Sequence, residues 1–164
     1  VSGDAAGNTV SAGVVVDTCV LSEVRHPKGN ARVKRRFAAC PAGQLYLSVL
    51  AVGEARKGIH RLPPGPQRTE LEAWAAGVRR TAAGRVLDVT QAVALRWGEL
   101  VGEAMRRGRQ VPPIDGLMAA TALHHGMRVM TRNTPDFEAA GVAVLDPWSD
   151  DWPAGWEGEP EGTP

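Results

Sequence analysis

Three carboxylates are spaced so that the ends of separate elements could bring them to one cavity: Asp17, Glu54 and Asp115. Asp17 follows the β-branched run "VVV" directly. Glu54 lies in "SVLAVGEARKGIHRL", and Asp115 lies near the start of "PPIDGLMAATALHHG". Taken singly, each has an ordinary explanation. Asp17 fits a turn or the cap of the segment that follows it. Glu54 fits an exposed side chain paired with Lys57 three residues on. Asp115 fits the first turn of a helix, whose N-terminus favours a negative charge and is expected to hold it ionised. Yet the segment from Asp115 to Gly126 is otherwise almost free of charge, so the carboxylate is expected to be partly buried and to need a partner.

Carboxylates brought together repel and call for a cation. A set of oxygen ligands selects Mg²⁺ or Mn²⁺ rather than zinc. His124 and His125 are adjacent, with no HExxH spacing and no cysteine pair near them, and read as ordinary helix-end residues. A carboxylate-held metal suits phosphodiester hydrolysis, because it acidifies water and offsets charge on the phosphate. The sequence offers no Gly-rich phosphate loop and no Ser–His–Asp or Cys–His order.

The elements that must position these acids alternate. Strands are expected at 14–16, 45–48, 85–89, 127–131 and 142–146. A helix from Thr90 to Gly108 has an apolar stripe of Val93, Trp97, Leu100, Val101 and Ala104. Further helices are expected from Ser48, with Ala51, Val52, Ala55, Ile59 and Leu62 inward, and from Pro66, with Leu71, Trp74, Ala75 and Val78 inward. Another runs from Pro113 to a Gly126 cap. Such alternation predicts an α/β fold around a mainly parallel sheet, whose ligands sit beyond the carboxyl ends of the strands.

Charge is distributed unevenly along the 164 residues, although the net charge is only +1. Between Glu23 and Glu54 there is no acid, while Arg25, Lys28, Arg32, Lys34, Arg35 and Arg36 crowd together. That run suits either a solvated helix face or an anionic partner. Residues 1–12 are expected to be a disordered leader and 149–164 an acidic disordered tail, with Trp152 and Trp156 unusual within it. No apolar run is long enough to span a bilayer. Two cysteines without a CxxC pair fit a reduced, cytoplasmic protein.

The blocks "VVVDTCVLSEVR", "YLSVLAVGEARKGI", "PPIDGLMAATALHHGMRVMTRNTPDF" and "GVAVLDPW" together resemble a PIN-domain ribonuclease, in particular the VapC (FitB-like) toxins of toxin–antitoxin modules. The resemblance covers residues 13–148, in order. It implies a three-layer α/β/α PIN-like domain with a mainly parallel central sheet, which binds Mg²⁺ or Mn²⁺ and cuts RNA, a transfer RNA among the targets considered. By the same resemblance Asp17, Glu54 and Asp115 hold the metal. Thr18 and Thr131 are hydroxyls close to it, and Asn133 or Asp136 completes the catalytic set. Arg25, Lys28, Arg32, Arg35, Arg106 and Arg107, with Arg109, are expected to follow the RNA backbone. The resemblance also implies an antitoxin partner and a homodimer.

Two positions depart from the family pattern: Cys19 where asparagine is usual, and Asn133 where many members carry an acid. They leave open a catalytically silent PIN-like module that binds RNA or protein. A phosphatase using paired aspartates is a remoter alternative, since residue 19 is not the second aspartate such an enzyme shows.

Overall fold

A computed structural model describes residues 13–153. The expected leader at 1–12 and the tail from 154 onward, Trp156 included, lie outside the described residues. The chain forms β1 (Val14–Val16), α1 (Thr18–Arg25), α2 (Ala31–Ala39), β2 (Leu45–Ser48), α3 (Val49–His60), α4 (Pro66–Thr81) and β3 (Val86–Leu87). There follow α5 (Gln91–Arg106), α6 (Pro113–His124), β4 (Arg128–Met130), α7 (Thr134–Ala139) and β5 (Val144–Leu145). The strands pair in the order β3–β2–β1–β4–β5, all parallel.

Three valines in a row suit β1 because a central parallel strand is covered on both faces. Successive side chains point to opposite faces. Val14 and Val16 join Val20, Val33, Leu47 and Met130 in one core, under α1 and α2. Val15 joins Ala51, Met118, Val129 and Phe137 in the other, under α3, α6 and α7. The three α/β/α layers follow from that alternation.

Local chemistry sets the helix ends. Ser48 Oγ accepts the Leu50 N–H at 3.2 Å, and Thr90 Oγ1 accepts the Val93 N–H at 3.3 Å, as the sequence suggested. Gly108 and Gly126 take φ of +72° and +64° just past α5 and α6, where a side chain would be strained. Among the described residues no helix is long and apolar enough to cross a membrane.

Three expectations need correction. The stripe of α5 is buried only at Val93 and Ala104; Trp97, Leu100 and Val101 are half-buried, and α4 buries none of its residues fully. Both helices therefore keep apolar surface uncovered. The late strands are also shorter than their apolar runs, two residues each for β3 and β5. Finally, the packed unit runs past residue 148. Trp152 is buried in the first core, Arg36 stands 4.9 Å over its ring, and Arg36 donates to the Pro147 and Ser149 carbonyls.

Candidate active site

The strand order reverses at β1. The chain runs outward through β2 and β3, then returns to lay β4 on the other side of β1. A crevice opens at such a switch point beyond the carboxyl ends of the strands. Asp17 follows β1 there, and its N–H continues the ladder by donating to the Met130 carbonyl at 3.0 Å. Thr131 and Asn133 follow β4 on the opposite lip.

Asp17 occupies the N-cap position of α1 by its backbone, since its carbonyl accepts from Val20 at 3.1 Å. Its carboxylate caps nothing. Instead Oδ1 accepts the Thr18 hydroxyl at 3.1 Å, and Oδ2 accepts Thr131 Oγ1 at 2.7 Å and Cys19 Sγ at 3.3 Å. Thr131 is wholly buried, and its hydroxyl also accepts the Asn133 N–H at 3.0 Å. The carboxylate is thus fixed by side chains of two strand ends. Charge-assisted hydrogen bonds of this kind contribute about 1.5–3 kcal/mol each where they are shielded from water.

Asp115 lies in the first turn of α6, half-buried. Asn133 Nδ2 bridges it to Asp136, donating at 3.2 Å to Asp115 Oδ2 and at 2.7 Å to Asp136 Oδ2. Asp136 is held in place by its neighbour Phe137, which is fully buried in the second core. Burial raises the Asp115 pKa, and the charges of Asp17, Asp136 and Glu54 raise it further, against the Asn133 hydrogen bond. The helix N-terminus favours the charged form, as the sequence suggested, but desolvation and three like charges outweigh it and leave the pKa raised.

Glu54 faces the same crevice from α3, and Lys57 Nζ holds its Oε1 at 2.6 Å, the expected i,i+3 pair. Among the described residues, no three His, Cys, Asp or Glu side chains stand close enough to share one ion. The donor chemistry nevertheless fits a hard divalent cation: the groups that raise the Asp115 pKa by charge are all carboxylates.

The departures from the family pattern have visible roles. Cys19 Sγ donates to Asp17 Oδ2 at 3.3 Å. Burial, then the Asp17 charge, pushes its pKa up to about 11, so it is no ready nucleophile. His124 and His125 are exposed at the far end of α6.

The basic residues do not act as one group. Arg32 pairs with Asp150, and Arg106 and Arg107 pair with Glu103 at 3.1 and 2.9 Å. Lys28 and Arg35 are exposed. Arg25 alone of the seven expected RNA contacts lines a cleft that also contains Glu54.

Residues 14–142 match the family model of the PIN domain. The chain belongs to the PIN-domain family. Over 136 residues it is 36% identical to the VapC ribonuclease Y4jK of Sinorhizobium fredii, covering 82% of this chain and 97% of that one. It is 35% identical over 138 residues to Toxin FitB of Neisseria gonorrhoeae, covering 84% and 99%. A solved structure of FitAB bound to a DNA fragment superposes with a TM-score of 0.80 at 34% identity, covering 83% of this chain and 96% of that one. Its relatives group this PIN domain with the VapC and FitB toxins.

Sequence reasoning missed two features of this PIN domain. One is the bridge that Asn133 makes between Asp115 and Asp136. Trp74 was assigned to the core by its spacing, but it stands half-buried at the cleft beside Glu54. Only the absence of any fully buried residue on α4 marks it, and periodicity does not report that.

Proposed function

We propose that this chain is a metal-dependent endoribonuclease and the toxin of a toxin–antitoxin module. The observation that carries the reading is the placement of Asp17, Glu54, Asp115 and Asp136 in one electrostatic field at the switch point of the sheet. Asp17, Glu54 and Asp115 would hold Mg²⁺ or Mn²⁺, the cation drawing together carboxylates that stand apart without it. When bound, such a cation lowers the pKa of water and offsets charge developing on the phosphate. The chain's own residues orient the acids. Thr131, Thr18 and Cys19 fix Asp17, and Asn133 keeps Asp115 and Asp136 from separating. Water adds to phosphorus, the bond to O3′ breaks, and the proton released passes to O3′, leaving a 5′-phosphate and a 3′-hydroxyl.

An antitoxin has a suitable groove. A cavity of about 670 Å³ lies between α1, α2 and α4, lined by Val24, Phe37, Leu45, Trp74 and Val78. It shares Leu21, Arg25 and Trp74 with the cleft beside Glu54. An apolar segment of an antitoxin lying in this groove would be led towards the acids, where an arginine could neutralise them. Leu95 and Met105, 64% and 67% exposed on α5, are apolar surface suited to a second copy of the chain.

The silent reading rested on Cys19 and Asn133, and both hold catalytic acids by hydrogen bonds. Inducing the full chain in cells and mapping new RNA 5′ ends tests the proposal. Discrete new ends, absent with the Asp17→Asn variant, are expected; no new ends, or the same ends from the variant, would overturn it.

A further inference from the structure

Beside the acids lies a cleft of about 340 Å³, lined by Thr18, Ser22, Arg25, Glu54, Gly58 and Trp74 among others. Its size is at the lower end of small-ligand clefts, about 300–1,000 Å³. Two of its residues belong to the site: Glu54, and Thr18, which donates to Asp17. Whatever enters this cleft therefore lies against the catalytic centre.

We propose that it receives one unpaired base of the RNA, next to the phosphate being cut, with Arg25 and Trp74 as the stacking face. This rests on the ribonuclease reading. The Arg25 guanidinium sits 5.7 Å from the centre of the Trp74 ring, within cation–π reach. Arg25 makes no ion pair among the described residues, whereas Arg32 and Arg36, from the same basic run, hold the segment at 147–150. Single-stranded RNA is gripped by stacking bases on aromatic rings and guanidinium planes, and by cations along its backbone. Here one cation serves both needs. The lining at Gly58, on α3, has room: a Cβ built there meets nothing within 4 Å. A side chain there would enter free space and leave the helix undisturbed.

Binding separates this inference from the nuclease reading. In the Asp115→Asn background, the full chain is titrated with a labelled single-stranded RNA, then with copies carrying an abasic ribose at each position in turn. One position is expected to be sensitive, losing between about 5-fold and 150-fold in affinity when its base is removed. Adding Trp74→Leu, or Gly58→Leu to fill the cleft, should cost a similar factor on the intact RNA and abolish the sensitivity to that base. Sensitivity kept by both variants, or found at no position, would overturn the proposal. So would variants that bind RNA normally but no longer bind the antitoxin, which would assign the cleft to a peptide. RNA cutting by Asp115→Asn would instead contradict the reading of the acids.

Discussion

Thr131 and Asp17, 114 residues apart in the chain, meet at 2.7 Å, the buried hydroxyl of one donating to the carboxylate Oδ2 of the other. The hydroxyl ties the ends of β4 and β1 together and leaves Oδ1 with Thr18 alone. Thr131→Val should lower divalent-metal affinity by about 10- to 100-fold, the usual effect of removing a group that orients a ligand. Thr131→Ser should restore most of it. Titration of Mn²⁺ into the metal-free protein, followed by calorimetry, measures both.

Asp115 is harder to ionise in the folded chain than its ordinary value of 3.8 implies. Its charge therefore opposes folding once pH rises above that ordinary value, and the penalty is fully present above the raised folded value. Asp115→Asn should raise the Tm of the metal-free protein at pH 7. The gain should fade as pH falls below the ordinary value, where the carboxyl is protonated in both states. Thermal scans across pH check the sign, and added Mn²⁺ should stabilise the wild type more than the variant.

Lys57 Nζ pairs with Glu54 Oε1 at 2.6 Å, so a cation held by Glu54 would have to compete with it. The pair is partly exposed, so its contribution is small, about 0.3–0.5 kcal/mol for a pair at this helical spacing. Lys57→Gln should tighten Mn²⁺ binding about twofold. A weaker affinity would show that Lys57 supports the site in another way.

Cys19, with its pKa pushed up to about 11, should react slowly with iodoacetamide at pH 8 and faster as pH approaches that value. Cys19→Asn should keep RNA cleavage, because an amide can replace the thiol as donor to Asp17. Rapid alkylation at neutral pH, or loss of cleavage in that variant, would contradict the role assigned to the thiol.

Much of this was legible in the sequence, for physical reasons that differ by element. The β-branched run at 14–16 and the capped helices announced themselves because local propensity and burial agree there. Asp17 was ambiguous because cap and ligand look alike one residue after a strand; the structure removes the side-chain cap, since the carboxylate is held by Thr131 instead. Asn133 stood out as a candidate, but its bridge was hidden, since it joins the starts of α6 and α7. The roles of Arg32 and Arg36 could not be read from a run of basic residues, because their partners lie more than a hundred positions away. Trp74 misled because a half-covered aromatic and a core aromatic have the same helical spacing.

The role of the acid cluster is tested most directly on the purified full chain with an end-labelled RNA, in Mg²⁺, in Mn²⁺ and in excess chelator. The wild type should cut with either metal and not with chelator. Asp115→Asn, folded and at least as stable in the metal-free state, should lose cleavage with both metals. Cleavage that survives the chelator, or survives Asp115→Asn, would contradict the role given to these carboxylates.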